Sequence, residues 1–214
     1  TKRKLFIGVA SVLATVLLSL IIFFFVILVG HFVIDEEKLA LKQTTTLVDE
    51  NGEFITHLFI EHREPVSLKE IPDHVKHAFI AIEDARFYEH VGIDVRAIVR
   101  ALYRDLLAGE KVEGGSTITQ QLVKRVFLTS EKTFLRKTKE VLIAINLERR
   151  YSKDEILEMY LNEIYFGHGA YGIQAAAKFY FNKDVSELSI AEGALLAGLP
   201  QAPNSYSPLV DIEQ

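Results

Sequence analysis

From Leu5 to Ile34 the chain runs for 30 residues without an Asp, Glu, Lys or Arg. About 20 apolar residues cross a bilayer as a helix, so this run predicts one N-terminal transmembrane helix with tilt or overhang. The pattern then changes. Thr44–Val48 and Glu53–Ile60 are β-prone and flank Asp49-Glu50-Asn51-Gly52. Asn-Gly at that place tolerates positive φ and marks a hairpin turn. After Pro65 the apolar positions recur with helical period. Helices are predicted at about 72–90, 94–108, 117–128, 133–150, 153–164, 170–181 and 189–198. Thr117 with Gln120, Ser152 with Glu155 and Ser189 with Glu192 fit a capping box at three of these starts. Gly109, Gly167 and Pro200 punctuate the ends. Beyond the apolar run, the fold class is therefore mainly α with a small β-hairpin.

Charge orients this arrangement. Lys2, Arg3 and Lys4 precede the apolar run, and Asp35, Glu36 and Glu37 follow it. Positive charge stays cytoplasmic. The expectation is a single-pass protein of the cytoplasmic (inner) membrane, with residues 1–4 as a cytoplasmic tail and 5–34 as a signal anchor. Residues 35–214 would then form one domain outside. The apolar core is too long for a cleaved signal peptide, and no small-x-small cleavage site follows it. The net charge is −5, and the outer portion, without the three leading basic residues, carries −8. No global positive field exists for nucleic acid, so an anionic ligand needs a local basic cluster. With no cysteine, disulfides, thiol catalysis and cysteine zinc sites are excluded.

Four segments carry candidate chemistry. In the first, Val75, Phe79 and Ile82 form an apolar stripe, and Glu83 falls on or beside it. A carboxylate so placed is partly desolvated, which raises its pKa toward the range of a general base. The alternative is a Glu83 paired with Arg86 or Lys76. Asp84 points elsewhere and can cap or orient its neighbours, and His90 before Gly92 can close the helix. The second segment, Gly114-Gly115-Ser116-Thr117-Ile118-Thr119-Gln120-Gln121, leads into a helix start whose free N–H groups attract phosphate. Gly115 permits close approach of a ligand, and Gln120 and Lys124 share a face. An ordinary capped helix explains part of this pattern. In the third, Arg136 and Glu140 stand four apart beside Lys137. They read either as an exposed ion pair or as a carboxylate held by cations that bind phosphate. In the fourth, Ile156, Tyr160 and Ile164 have core spacing before Gly167-His168-Gly169-Ala170-Tyr171-Gly172. That echo of Gly-x-Gly-x-x-Gly follows a helix, not a strand, so a Rossmann site is rejected in favour of a close-packed joint.

Together with Ala197-Gly198-Leu199-Pro200, these blocks resemble the peptidoglycan glycosyltransferases of family 51. The pattern Glu83-Asp84-x-x-Phe87-x-x-His90-x-Gly92 comes first. Gly114 to Gln121, Arg136-Lys137-x-x-Glu140, the Leu161-Asn162 and Phe166-Gly167 block and the Ala-Gly-Leu-Pro end follow in order. The resemblance covers roughly residues 44–208. It implies a mainly α, lysozyme-like glycosyltransferase domain that adds lipid II to a lipid-linked growing glycan at the membrane, forming β-1,4 bonds with inversion.

The same resemblance implies roles. Glu83 matches the catalytic base and Glu140 the second carboxylate, which orients Arg136 or Lys137, helps hold a divalent cation (Mg or Mn), or assists departure. Lys124, Arg136 and Lys137 match the pyrophosphate ligands. Ser116, Thr119, Gln120, Gln121 and Asn162 are expected sugar or phosphate contacts, with Asp84, Phe87, His90 and Gly115 in support. Residues 101–115 would gate lipid access, the alternative being a core helix followed by a loose loop. Implied partners are moenomycin-type inhibitors and cell-wall synthesis proteins. A membrane-anchored lysozyme-like hydrolase or lytic transglycosylase that uses Glu83 to cut glycan is the runner-up, disfavoured by the cation set. An inert scaffold is the third. Family domains usually continue past the point where Gln214 stands, and no Ser-x-x-Lys occurs, so a transglycosylase portion of a bifunctional protein is expected, or else a short monofunctional enzyme.

Overall fold

The computed structural model describes residues 2–29, 34, 36–39, 45–51, 54–58, 62–110, 114–128 and 133–209. The chain divides into two compact units, Thr1–Ile34 and Asp35–Gln214.

The first unit contains α1 (Lys2–Val29). Thr15 and Ser19 return their hydroxyls to the carbonyls of Ser11 and Thr15, which lets polar side chains ride in an apolar helix. The expected transmembrane anchor requires correction, and with it the single-pass membrane topology. Among the described residues, no helix is long and apolar enough to cross a membrane.

The second unit opens with a short helix, α2 (Glu36–Leu39). Strands β1 (Thr45–Val48) and β2 (Phe54–Leu58) pair antiparallel with Thr45 opposite Leu58 and a register shift at Leu47/Val48. Asp49 Oδ1 accepts from the Asn51 N–H at 2.9 Å and starts the turn, as its sequence predicts. Thr44, Gly52, Glu53 and Ile60 lie outside the described residues. A third strand of two residues, β3 (His62–Arg63), has no counterpart in the sequence pattern.

Helices then follow: α3 (Asp73–Glu83), α4 (Val95–Ala108), α5 (Ile118–Phe127), α6 (Phe134–Arg150) and α7 (Lys153–Glu163). Strand β4 (Ala170–Tyr171), α8 (Ile173–Phe181) and α9 (Ile190–Gly198) complete the order. All three expected capping boxes form, at Thr117, Ser152 and Ser189. Two boundaries differ from the sequence reading. The predicted helix at about 72–90 stops at Glu83, because Asp84 leaves helical geometry at φ −160°. The predicted helix at about 170–181 begins only at Ile173, because Ala170 and Tyr171 pair in parallel with His62 and Arg63.

Helix α5 is the hub: it packs on α6 and α7, while α3 packs on α9. The core consists of Val75 and Phe79 from α3, Ile118, Leu122 and Val123 from α5, Leu147 from α6, Ile156, Leu157 and Leu161 from α7, and Leu196 from α9. Phe79 meets Phe166 edge to face at 5.9 Å. By contrast Ile82, expected on the same stripe, is exposed. Helix α4 buries Ala101 but exposes Val99, Leu102, Tyr103, Leu106 and Leu107.

The joint between α7 and α8 depends on a glycine. Gly172 has φ +82°, its N–H donates to Ile164 O at 2.8 Å, and an added Cβ would sit 2.8 Å from Asn162 O. Gly172→Ala combines positive-φ strain with a backbone clash, each costing about 1–3 kcal/mol. The expected result is a melting temperature lowered by about 5–15 °C. Thermal unfolding checks this, and a change below about 2 °C would contradict the close approach.

Candidate active site

The C-terminus of α3 delivers Glu83 to the wall of a cleft of about 500 Å³, which also includes Asp84, Arg100, Ser116, Gln121 and Pro200. Glu83 is half-buried and makes no ion pair among the described residues. The two expected competitors are engaged elsewhere: Arg86 pairs with Asp94, and Lys76 with Asp73 at 2.7 Å. Gln121 donates its Nε2–H to Glu83 Oε2 at 2.7 Å. Glu83 Oε1 is shielded from solvent and has no hydrogen-bond partner. Burial pushes the carboxyl above the usual glutamate range, the Gln121 hydrogen bond pulls it back in part, and the charge of Asp84 pushes it up again.

Asp84 faces away from Glu83. Its Oδ2 accepts from the Ile118 N–H at 3.0 Å, satisfying a free donor at the start of α5, and from His90 Nε2 at 2.8 Å. The Gly92 N–H donates to His90 Nδ1 at 3.2 Å, which leaves the proton on Nε2 and fixes the tautomer. Phe87 is fully buried against the His90 ring, with Lys153 Nζ 4.5 Å over its face. Lys153 in turn pairs with Glu148 at 2.6 Å, and Glu148 accepts from the Thr119 hydroxyl at 2.6 Å. This chain of buried contacts sets the end of α3 against the start of α5, and thereby sets Glu83 against Gln121. Glu148 and Lys153 were not singled out in the sequence. Thr119 was, for a different role.

Several sequence candidates are committed to structure. Thr119 and Gln120 are buried, and Gln120 Oε1 accepts from the Thr117 N–H at 3.0 Å within the capping box. Gln120 therefore does not share an exposed face with Lys124, which is exposed. Asn162 is buried and holds the Val66 backbone through N–H and C=O bonds of 2.9 Å each. Gly115 stands in the cleft wall, but the close approach it permits is to Ile98: an added Cβ would be 3.2 Å from that residue's Cα.

Two cationic groups flank Gln121. On α6, Glu140 is 2% exposed and accepts from Arg136 Nη1 at 2.8 Å and from Lys137 Nζ. Lys137 Nζ also donates to Ser116 Oγ at 3.0 Å, which brings it to the rim of the 500 Å³ cleft. Lys124 instead lines a second cleft, about 310 Å³, with Arg125, Tyr160 and Glu163. Gln121 and Pro200 belong to both walls. Arg125 is a cation that the sequence reading passed over, though it directly follows Lys124. It stands 6.0 Å from the Tyr171 ring, which also carries Arg63 at 4.9 Å. Arg63 is bound to Glu163 at 2.9 Å. The sequence-predicted cation set is thus divided between two compartments.

The donor set does not suit a resident divalent cation. Both oxygens of Glu140 are taken by cations, and among the described residues no group of three His, Asp or Glu is placed to hold a metal ion.

Comparison with known proteins places this geometry in a family. Residues 51–214 match a family described as "Transglycosylase". Penicillin-binding protein 1F of Bacillus subtilis is 61% identical over 98% of this chain and 29% of its own length. Penicillin-binding protein 1A of Aquifex aeolicus is 45% identical over 99% of this chain and 29% of its own length. A crystal structure of penicillin-binding protein 1A from Haemophilus influenzae aligns over 80% of this chain and 16% of that one, at 26% identity and a TM-score of 0.42. The chain spans less than a third of the length of these relatives.

Proposed function

The chain belongs to the transglycosylase family, and on that premise we propose that it is a peptidoglycan glycosyltransferase that polymerises lipid II. The observation that carries this reading is the state of Glu83: a half-buried carboxylate with a raised pKa in a cleft wall, one oxygen held by Gln121 and the other shielded from solvent without a partner. Such a group is suited to accept a proton from an alcohol.

In this mechanism the Glu83 carboxylate takes the proton from the 4-hydroxyl of the acceptor GlcNAc as that oxygen attacks C1 of the donor MurNAc. The bond from C1 to the pyrophosphate oxygen breaks on the opposite face, so the α-linked centre becomes β. An inverting glycosidase likewise sets its base opposite the leaving group. Pyrophosphate departs readily, and its charge needs neutralising more than its oxygen needs a proton. Lys124 in one compartment, and Lys137 with Arg136 beside Ser116 in the other, supply positive charge on either side of Gln121. Arg adds a planar fork and Lys a point charge. Moenomycin-type inhibitors would occupy the same cation-lined surface.

The test is incubation of the purified protein with labelled lipid II. The expected product is a ladder of glycans on a gel that collapses on muramidase digestion and is absent when moenomycin is added. Folded protein that forms no ladder and binds no moenomycin would overturn the assignment.

A further inference from the structure

The contact that holds Glu83 is itself held. Gln121 projects from α5 between the two clefts, and its amide is used at both ends. Its Nε2 donates to Glu83 Oε2 at 2.7 Å, and its Oε1 accepts from the Tyr160 hydroxyl at 3.4 Å. Tyr160 stands in the middle of the buried face of α7, between Ile156 and Ile164, and is 2% exposed. An apolar side chain would fill that position equally well. A phenol there must place its O–H, and here the hydroxyl turns toward Gln121. Burial and the negative charge of Glu83 hold the phenol far on its neutral side, so the O–H remains a donor.

An amide has a donor end and an acceptor end, and a carboxylate accepts only. A hydroxyl donating to Oε1 therefore keeps the N–H end aimed at Glu83 and polarises it, as hydrogen bonds in series do. Without it, Gln121 is free to swing into either cleft. Glu83 would then lose the one bond that distinguishes its two oxygens. Hydrogen bonds of a catalytic site are often long without substrate and shorten once it is bound.

We infer that Tyr160 is a positioning residue: acting through Gln121, which donates to Glu83 Oε2, it fixes the orientation of the Glu83 carboxylate at the cleft wall. The inference rests on the proposed role of Glu83 as base. It gives Gln121 a place in the machinery other than the sugar or phosphate contact expected of it.

Other groups facing Glu83 are few. Asp84 is adjacent, Asp94 and Arg100 stand across the cleft, and Arg125 is near Tyr160. None of them bonds the Gln121 amide.

The experiment is Tyr160→Phe, which keeps the ring in the core and removes only the hydroxyl. The Glu83 carboxyl is followed by ¹³C NMR titration, which needs no turnover. A hydrogen bond from Gln121 favours the charged carboxylate, so weakening it raises the titration midpoint. The expected rise is roughly half a pH unit. In lipid II polymerisation, kcat falls by about 3- to 10-fold with KM unchanged, and the acid limb of the kcat profile moves to higher pH by the same amount. Gln121→Met removes the relay, and adding Tyr160→Phe to it changes neither readout further. An unmoved Glu83 midpoint in Tyr160→Phe, or effects that multiply in the double variant, would overturn the inference. A wild-type protein that forms no glycan would instead overturn the proposed reaction, while the titration still reports on the Tyr160–Gln121–Glu83 contact.

Discussion

Glu83→Gln is expected to abolish polymerisation of lipid II while leaving the fold at least as stable as before. The substitution is isosteric, so the cleft keeps its shape and Gln121 can still donate to the remaining side-chain oxygen. What is lost is the proton acceptor, and a positioned general base contributes about 10²- to 10⁴-fold. Stability should move the other way. Glu83 has a raised pKa because its charged form is desolvated and has no cation partner. For such a group the folded state binds the proton more tightly than the unfolded chain. Its contribution to stability is fully present below the unfolded pKa and is lost as pH rises through the folded one. At neutral pH the ionised carboxylate therefore weakens the fold, and a neutral amide relieves it. Polymerisation by the wild-type protein should rise with pH through a value above the usual glutamate range, where the base ionises. The measurements are kcat against pH for the wild type and thermal unfolding of both proteins between about pH 4 and 8. Appreciable turnover by Glu83→Gln would remove the base. A variant less stable than wild type at neutral pH would contradict the desolvated, unpaired carboxylate.

What the sequence made legible was local. The three capping boxes need only residues three apart, and they form as read. The turn at Asp49 and the stripe from Val75 to Phe79 are likewise short-range patterns. What it concealed depends on partners far along the chain. The end of α3 is set at Asp84 by a backbone N–H at Ile118, which no window around Asp84 contains. The pairing of β3 with β4 joins residues more than a hundred apart over two positions, too few for any period to show.

Polarity was misleading in the motif around α5. Thr119 and Gln120 look like ligand contacts because they are polar at a helix start, yet both are buried and satisfied within the protein. Asn162 does the same for the Val66 backbone. Tyr160 misled in the opposite sense. Its spacing with Ile156 and Ile164 reads as core, and it is core, but its hydroxyl reaches the residue that holds Glu83. An aromatic hydroxyl within an apolar stripe was the available signal. The N-terminal run shows a different limit. An absence of charged residues over 30 positions predicts a spanning helix, whereas among the described residues no helix is long and apolar enough to cross a membrane.

Glu140→Gln should damage both the fold and the reaction, and the way the two losses combine identifies what Glu140 does. The carboxylate lies almost wholly out of solvent between Arg136 and Lys137, so it is the common partner of two cations. Breaking a buried pair by removing one partner costs about 3–5 kcal/mol. Here Lys137 is 42% exposed and Arg136 is 16% exposed, so solvent screens part of the freed charge. The expected loss is about 1–3 kcal/mol, a fall in melting temperature of roughly 2–12 °C. Activity assayed well below that temperature isolates the second loss. Lys137 reaches Ser116 at the cleft rim while bound to Glu140. Without the carboxylate, two like charges three and four residues from position 140 repel, and Lys137 leaves that position. If Lys137 neutralises the departing pyrophosphate, kcat should fall by about 10- to 100-fold, the scale of one charge-stabilising contact in the transition state. Lys137→Met should cost a similar factor, and the double variant little more, because both substitutions empty the same place. Losses that multiply would mean instead that Glu140 acts on the substrate by itself, and its contact with the two cations would then be structural alone.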